Sequence, residues 1–237
     1  MIQRILLEDV LSKLPLFAGL SPRAFEAIET HGRIFSLSAN HTLYYKGDPA
    51  NSFYVVLKGG IRLVDYTAEG RTIHIKLYGV GDCLGLLAIS GAYPYPHSAE
   101  AIEATQIFAI RGDDIRQLTV TYPEIGLAVI DALVAHIHEA HGRIAKQFAE
   151  RVEQRLATAL LHYAQKFGTK IEDGVSLDIA ISQQSLADFV GTTLESVNRT
   201  LSQWGKNGWV RVSRGHIDLL DMTVLSTLSN GEPVRVG

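Results

Sequence analysis

The chain has 237 residues, 46% of them apolar and 20% charged, and a formal net charge of −3 at pH 7. This composition is typical of a folded globular protein and excludes a disordered chain. The longest apolar runs fall far short of the roughly 20 residues of a membrane span. The first residues lack the apolar segment of a signal peptide, and the single Cys83 cannot form an internal disulfide. We therefore expect a cytoplasmic protein without a membrane partner.

Residues 33–111 have the pattern of short β-strands. Short apolar runs alternate there with glycine, aspartate, proline and asparagine, which favour turns. The predicted strands include 53–57, 61–64 and 72–77, with a turn at 68–70. Strands at this spacing predict a small barrel or roll. Short helices are expected on either side, one capped by Ser21 with Pro22 at its first position, and one near Asp113.

From Pro123 the apolar period changes to that of a long helix with a coiled-coil seam. Steps of three and four residues separate the seam positions Leu127, Ile130, Val134, Ile137, His141, Ile144 and Phe148. Such a narrow seam predicts the same helix of a second subunit as its partner, and hence a homodimer. The alternative is an amphipathic helix packed on its own roll. At His141, two imidazoles facing each other could confer sensitivity to pH or a ligand, unless neighbouring groups satisfy each ring.

A helix-turn-helix is predicted between residues 181 and 212, after a hinge near 149–151 and a second helix over 152–167 that stops at Gly168. Ser182 is placed to cap the first helix of the motif, and Gly191 permits the sharp turn. Thr192 with Glu195 three residues later predicts a capping box for the second helix.

The second helix of this motif carries the residue types that read base edges. Val197 and Leu201 are one turn apart and are expected to face inward, whereas Glu195, Asn198 and Arg199 are expected on the outward side near the N-terminus. Arg199 suits a bidentate contact to guanine and Glu195 can accept from cytosine, whereas Asn198 suits a base or a phosphate. We predict that these three residues read DNA bases.

A two-stranded wing is predicted after Trp204, over 208–212 and 215–219, with its turn at 213–214. The predicted contacts to the DNA backbone are Ser182, Gln184, Thr192, Thr193, Lys206, Arg211 and Arg214. Residues 151–237 contain nine Lys or Arg and nine Asp or Glu, so this part of the chain is neutral. We therefore expect binding through a few placed cations, salt-sensitive and modest outside the operator.

Three segments carry a resemblance to a known family: 46–60 in the roll, the turn 81–85, and the reading helix 191–201 in its order after the long helix. With these the chain resembles the cyclic-AMP receptor protein and fumarate-nitrate regulator family over nearly its whole length. The resemblance implies an α+β fold with a cyclic-nucleotide-binding-like β jelly roll, a long dimerisation helix and a C-terminal winged helix-turn-helix. Glu195 and Arg199 match the family's base-reading Glu and Arg, and Asn198 matches a variable specificity position.

By this resemblance the sensory roll domain spans residues 1–122, the dimerisation helix and hinge 123–150, and the DNA-binding domain 151–237. The implied partners are a second copy of the chain, a double-stranded DNA operator with two-fold symmetry, and RNA polymerase. The implied function is a transcription regulator that senses an effector and is not an enzyme.

The effector pocket departs from the pattern of the cyclic-AMP-binding members of this family. Those members carry a Glu after the glycine of the turn and an Arg-Ser pair for the cyclic phosphate, whereas this chain has Gly85-Leu86 and His97-Ser98. Both key charges are absent, which argues against cyclic AMP unless a protonated His97 substitutes. The residues predicted to line the pocket are Leu84, Gly85, Leu86, Leu87, His97, Ser98, Ile137 and His141.

The cysteine and histidine residues of the chain limit which cofactors it can bind. One cysteine cannot hold an iron–sulfur cluster in its familiar form. Haem is left as an alternative, with Cys83 and His97 as the candidate axial ligands among Cys83, His74, His97, His136, His138 and His141. A lone cysteine is also an ordinary small buried side chain, and histidines on a long helix are ordinarily solvated.

Two other classes of function compete with a regulator. No Ser-His-Asp order, Walker glycine loop or paired metal-ligand motif supports an enzyme. A cyclic-nucleotide- or haem-binding sensor module that acts through protein partners is the remaining alternative, and binding to a specific operator would distinguish a regulator from it.

Overall fold

The computed structural model describes residues 11–67, 72–177, 182–213, 216–232 and 234. The chain divides into two compact units, Met1–Thr72 with Lys76–Ala140, and Ile73–Ile75 with His141–Gly237. Among the described residues, none of the helices combines the length and the apolar character that spanning a bilayer requires.

Antiparallel strands form the roll that the sequence predicts in the N-terminal unit. They are β1 Arg33–Leu37, β2 Thr42–Tyr44, β3 Ser52–Lys58, β4 Ile61–Tyr66, β5 Thr72–Tyr78, β6 Cys83–Leu84, β7 Ser98–Ala101 and β8 Thr105–Arg111. Two four-stranded sheets result, in the orders β1-β8-β3-β6 and β2-β7-β4-β5. The predicted strands 53–57, 61–64 and 72–77 are confirmed as parts of β3, β4 and β5, whereas the predicted turn at 68–70 lies outside the described residues.

The side-chain alternation of β3 separates two cores. Phe53 and Val55 point into a core that is shared with the helices and is called the helical cluster below. Val56 points into a second core, which contains residues of both sheets and is called the cluster between the sheets. All three side chains are fully buried. The alternation follows from the two-residue period of a strand, so both faces of this strand are covered.

The helices of the N-terminal unit are α1 Pro15–Ala18, α2 Pro22–His31, α3 Leu87–Ser90 and α4 Gly112–Thr121. The predicted cap of α2 is confirmed, because Ser21 Oγ accepts the Ala24 N–H at 3.3 Å and Pro22 is the first helical residue. The helix expected near Asp113 is α4.

The long helix, α5, spans Pro123–Ala149 and has two different apolar faces. Ile125 and Val129 are buried in the helical cluster of the N-terminal unit, and Glu139 forms an ion pair with Lys76 of β5 at 2.7 Å. The predicted seam is a separate face, where Leu127, Ile130, Val134 and Ile137 are between 46% and 66% exposed. His141 is also exposed. The side chains of Ile144 and Phe148 lie outside the described part of the chain.

The C-terminal unit contains α6 Val152–Phe167, β9 Gly168–Ile171, β10 Gly174–Leu177, α7 Gln183–Val190, α8 Leu194–Lys206, β11 Val210–Ser213, β12 His216–Leu219 and α9 Met222–Ser229. The helix predicted over 152–167 is confirmed, and the helices are interrupted between Ala149 and Val152, where the sequence predicts a hinge. The sheet order is β11-β12-β10-β9, so the wing belongs to a larger antiparallel sheet. The hairpin of β9 and β10 and the helix α9 were not predicted.

Candidate nucleic-acid interface

The turn between α7 and α8 is built from local hydrogen bonds. Ser182 Oγ accepts the Ser185 N–H at 3.0 Å, which confirms the predicted cap of α7. Gly191 has φ +70°, which confirms its predicted role in the turn. The Gly191 N–H donates to Asp188 O, and the Thr192 N–H donates to Ala187 O at 2.9 Å. This pair of bonds is a Schellman motif, which ends α7 sharply.

The predicted capping box of Thr192 and Glu195 is wrong. The N-cap of α8 is Thr193, whose Oγ1 accepts the Ser196 N–H at 3.2 Å. Thr192 completes the C-terminal motif of α7 through its N–H and so belongs to the preceding helix end. The turn is therefore one residue longer than the sequence pattern suggested.

Helix α8 buries one face and presents the other. Val197, Leu201 and Trp204 are at most 2% exposed, which confirms the inward face predicted from Val197 and Leu201. Glu195 and Arg199, one turn apart, are exposed as predicted. Asn198 differs from the prediction, because it is half-buried and its Oδ1 is buried without a hydrogen-bond partner among the described residues.

The predicted wing is confirmed as β11 and β12, paired from Val210↔Leu219 to Ser213↔His216. Its turn, including the predicted phosphate contact Arg214, lies outside the described residues. Arg211 is half-exposed, with its guanidinium 3.4 Å from Asp218 Oδ2. Asp218 is buried and also accepts the Ser176 hydroxyl at 2.6 Å. The Arg211 cation is thus anchored at the wing and still faces solvent.

The other predicted backbone contacts are spread over the two helices of the motif. Ser182, Thr193 and Lys206 are exposed, and Gln184 and Thr192 are half-buried. Gln184 donates to Asp188 Oδ1 at 2.8 Å. The helix-turn-helix therefore carries polar groups at the start of both helices.

Arg155 of α6 supports the turn in a way that sequence reasoning missed. Its guanidinium donates to Val190 O at 2.9 Å and to Gly191 O at 3.4 Å. It also donates to the carbonyl of Glu150, in the break before α6. One side chain thus joins the break to the turn that positions α8. An arginine in the first turn of an amphipathic helix is ordinary, so no local signal could have identified it.

In the N-terminal unit, the region around His97 and Ser98 is occupied by contacts within the chain. Ser98 is buried, and its Oγ accepts the Lys46 N–H at 3.0 Å. The Lys46 ammonium pairs with Asp65 at 2.8 Å and lowers the pKa of that carboxyl. His97 Nδ1 lies 3.6 Å from the same carboxylate.

A second ion pair on β4 has a buried carboxylate as its acceptor. Arg62 Nη2 lies 2.8 Å from Glu100 Oε2, and the Tyr66 hydroxyl donates to the other oxygen of Glu100. Glu100 is only 8% exposed. The hydrogen bond to Glu100, with a smaller effect of burial, raises the pKa of Tyr66 to about 12. The guanidinium of Arg62 on β4 is therefore already paired with a carboxylate.

Aromatic side chains fill the space next to Gly85. Tyr44 and Tyr95 stack with ring centroids 3.7 Å apart, and the Tyr95 hydroxyl donates to Ser52 O at 2.7 Å. Gly85 has φ +77°, and a Cβ there would lie 2.7 Å from Ser52 O and 3.4 Å from Tyr95. Only glycine fits at this contact. Burial is the main cause that raises the pKa values of Tyr44 and Tyr95.

The residues predicted to line one apolar pocket lie in different parts of the structure. Leu84 and Leu87 pack in the cluster between the sheets, whereas Leu86 packs in the helical cluster, and Ile137 and His141 are exposed on α5. In the single chain the leucines thus pack in two different clusters, and the effector pocket stays a prediction. A small cavity of about 10 Å³ lies in the helical cluster, among residues that include Leu16, Phe53 and Ile110.

The haem candidates do not fit an axial ligand pair. Cys83 packs against the helical cluster, and burial, with a smaller effect of Asp82, raises the pKa of its thiol to about 12. A metal ligand requires the thiolate, which this environment disfavours. Cys83 pairs with Val55 in one sheet, whereas His97 immediately precedes β7 of the other sheet. Among the described residues, His, Cys, Asp and Glu side chains do not gather in groups of three that could hold a metal.

The two units match two family models in the predicted order. The cyclic nucleotide-binding domain matches residues 34–122, and the Crp-like helix-turn-helix domain matches residues 154–228. The chain belongs to the cyclic-AMP receptor protein and fumarate-nitrate regulator family. The relatives of this chain are transcription regulators and not enzymes, and their DNA-binding domain is the helix-turn-helix. The α+β fold with a nucleotide-binding-like roll and a C-terminal winged helix-turn-helix is confirmed.

Individual relatives align with this chain over most of the length of both proteins. The CRP-like cAMP-activated global transcriptional regulator of Mycobacterium tuberculosis is 25% identical over 206 residues, which is 87% of this chain and 92% of that protein. The nitrogen fixation regulation protein FixK of Bradyrhizobium diazoefficiens is 25% identical over 212 residues, 90% of this chain and 88% of that protein. A solved transcriptional regulator of the CRP/FNR family from Thermus thermophilus superposes with a TM-score of 0.72 at 25% identity, covering 86% of this chain and all (100%) of that one.

Proposed function

We propose that this protein is a homodimeric, sequence-specific DNA-binding transcription regulator that reads a two-fold symmetric operator through α8. The observation that carries the proposal is the exposed pair Glu195 and Arg199 at the start of a helix whose opposite face is fully buried. A helix presented in this way behind a tight turn has the geometry that enters a major groove. The sensory domain would span residues 1–122, the dimerisation helix and hinge 123–150, and the DNA-binding domain 151–237.

Each reading residue has a proposed role. Arg199 donates two hydrogen bonds to guanine, and Glu195 accepts from the cytosine amino group. Asn198 is half-buried, so its contact with a base or a phosphate requires its side chain to turn outward from α8.

The backbone contacts position this helix. Ser182, Gln184, Thr192, Thr193, Lys206, Arg211 and Arg214 are proposed to bind phosphates. Arg211 suits this role because Asp218 anchors its guanidinium while leaving it half-exposed. A neutral C-terminal part with a few placed cations fits salt-sensitive binding that depends on the operator sequence.

Dimerisation is proposed through the exposed seam of α5. Leu127, Ile130, Val134 and Ile137 form an apolar stripe at the coiled-coil spacing, on a face that the N-terminal unit does not cover. A monomer would leave this stripe in water. A cytoplasmic site of action and RNA polymerase as a partner are proposed from the family and from the DNA substrate.

We also propose that the regulator does not respond to cyclic AMP. Arg62 is paired with Glu100, Lys46 with Asp65, and the space beside Gly85 is filled by Tyr95. A cyclic phosphate would have to break one of these ion pairs without gaining the Arg that cyclic-AMP-binding members supply. The relatives' names give no single answer, because one of them is cAMP-activated and another regulates nitrogen fixation.

Selection of binding sites from random double-stranded DNA tests this function. The native protein is expected to enrich a two-fold symmetric sequence, and cyclic AMP is expected to leave its affinity for that sequence unchanged. Substitution Arg199→Ala should weaken specific binding by about 1–3 kcal/mol per half-site and relax the base preference.

The matched control is Arg23→Ala, which removes an exposed arginine from α2 of the N-terminal unit. This variant should bind the selected site as the native protein does. Equal operator affinity of the native protein and Arg199→Ala would contradict the proposed reading helix, and enrichment of no sequence would contradict the function itself.

A further inference from the structure

A row of three polar side chains crosses the sheet of the C-terminal unit. Asp218 of β12 is paired with Arg211 of β11 on one side and with Ser176 of β10 on the other. Side chains of residues paired in this way point to the same face of a sheet. The adjacent pair Val210 and Leu219 points to the other face, and both residues are buried. The three polar side chains therefore lie together on the face opposite the apolar side chains of the sheet.

The carboxylate of Asp218 has a different partner on each oxygen. The Ser176 hydroxyl donates to Oδ1 at 2.6 Å, and the Arg211 guanidinium lies 3.4 Å from Oδ2. The Asp218 side chain is only 9% exposed, whereas that of Arg211 is 54% exposed. The hydroxyl thus fixes the orientation of a nearly buried carboxylate and leaves its second oxygen for the arginine. A buried charge without a partner is unfavourable, so Asp218 restrains Arg211.

The restraint on Arg211 matters because arginine is a long and flexible side chain. Ordering such a side chain at an interface weakens binding by roughly two- to tenfold. The contact with Asp218 uses one of the five N–H donors of the guanidinium, and the half-exposed position gives a phosphate access to others. An arginine that is held in this way before DNA arrives avoids most of the ordering loss.

The negative charge of Asp218 has the opposite effect, because it repels a phosphate. A phosphate on the outer side of the guanidinium would lie roughly 7 Å from the carboxylate. At that distance the repulsion weakens binding about threefold in water, and physiological salt reduces the effect to less than about twofold. The orienting effect of Asp218 therefore exceeds its repulsion.

We infer that Asp218, itself oriented by Ser176, is a positioning residue that holds Arg211 of the wing for contact with a DNA phosphate. This inference rests on the proposed function, since it requires Arg211 to bind DNA. It extends the DNA-binding machinery to β10, a strand that carries none of the proposed DNA contacts. An acidic residue thereby increases the affinity for a polyanion.

The substitution Asp218→Asn separates the two effects, because it keeps the size of the side chain and removes its charge. At physiological salt this variant should bind the selected operator about two- to tenfold more weakly per half-site, whereas relief of repulsion alone would strengthen binding. In a protein that also carries Arg211→Ala, the same substitution should cause no further loss. The base preference should not change, because a phosphate contact carries no sequence information. Fluorescence anisotropy of labelled operator DNA measures these affinities.

Glu172→Gln is the matched control, because it removes an exposed negative charge from the hairpin of β9 and β10 in the same sheet. Its operator affinity should differ from that of the native protein by less than about twofold. Ser176→Ala tests the second contact without changing either charge, and it should weaken binding in the same direction as Asp218→Asn. Ser176→Thr keeps the hydroxyl and should bind as the native protein does.

Unchanged or increased affinity of Asp218→Asn, or an equal loss with and without Arg211, overturns the inference while leaving the regulator intact. If Asp218→Asn does not fold, Ser176→Ala carries the test, and its binding at native affinity then overturns the inference. Enrichment of no operator sequence overturns the proposed function and this inference together.

Discussion

Charged side chains of the roll are neutralised by partners distant in the sequence. Arg62 and Glu100 come from neighbouring strands, and Tyr66 completes the set by donating to the second carboxylate oxygen. Removing one partner of such a pair leaves a buried charge without a counter-ion. The resulting loss in the free energy of unfolding is larger than the net stabilisation that the pair provides. A ligand that competes for Arg62 meets the same penalty, which is the residue-level reason for the proposed lack of response to cyclic AMP.

The single cysteine gives a direct test of burial in the roll. With a thiol pKa of about 12, Cys83 holds far less thiolate at pH 8 than a free cysteine does. Its reaction with a chromogenic disulfide reagent should be roughly a hundredfold or more slower in the folded protein than in urea. Cys83→Ser should not react in either state, and equal rates for the native protein in the two states would show an accessible thiolate and reopen the haem alternative.

The turn between α7 and α8 shows how two helix ends share consecutive residues. The Schellman motif uses the N–H groups of Gly191 and Thr192, and the hydroxyl that caps α8 is that of Thr193. Arg155 then binds the carbonyl groups of Val190 and Gly191 from α6. Because backbone groups and Arg155 position the start of α8, Glu195 and Arg199 are left exposed for the proposed contact with DNA.

If Thr193 is the N-cap of α8, substitutions of Thr192 and Thr193 should differ in their effect on the free energy of unfolding. Thr193→Ala should lower the free energy of unfolding by about 1 kcal/mol, because the Ser196 N–H loses its acceptor. Thr192→Ala should change it by less than about 0.5 kcal/mol. Urea unfolding followed by tryptophan fluorescence measures this locally, since Trp204 and Trp209 are both in the C-terminal unit. The reverse order of effects would restore the capping box of Thr192 and Glu195.

At the scale of the whole molecule, α5 has one face that packs in the core of the protomer and another that is proposed to form the dimer. Ile125 and Val129 bury the helix against its own unit, whereas the side chains of the seam from Leu127 to Ile137 are between 46% and 66% exposed in a single chain. A substitution on the seam can therefore change the proposed dimer without removing a core contact of the protomer.

Substitution Ile130→Glu is expected to dissociate the dimer. In the protomer, the Ile130 side chain is 56% exposed, so a carboxylate there is solvated, whereas in the dimer two carboxylates would face each other at the seam. The dissociation constant should rise roughly a hundredfold or more. Sedimentation equilibrium measures this change, and Val120→Glu on α4 should leave the mass of the native assembly unchanged. A native protein that sediments as a monomer would refute the proposed dimer.

Local patterns were sufficient to predict much of this protein. The strands of the roll, α5, the cap by Ser182, the turn at Gly191 and the buried face of α8 are properties of neighbouring residues or of a short period, and they agree with the structure. The hairpin of β9 and β10 was missed because four-residue strands carry too little period to detect, although Asp173-Gly174 is a turn signal.

The amino-acid sequence by itself thus determined the order of the elements and which residues are proposed to read DNA. The tertiary structure decided which threonine caps α8, that Asn198 is half-buried, that Leu84 and Leu86 lie in different cores, and that Arg62 is paired. Each of these depends on groups brought together by packing. Arg62 and Glu100 are 38 residues apart in the chain, and no local pattern records such a meeting.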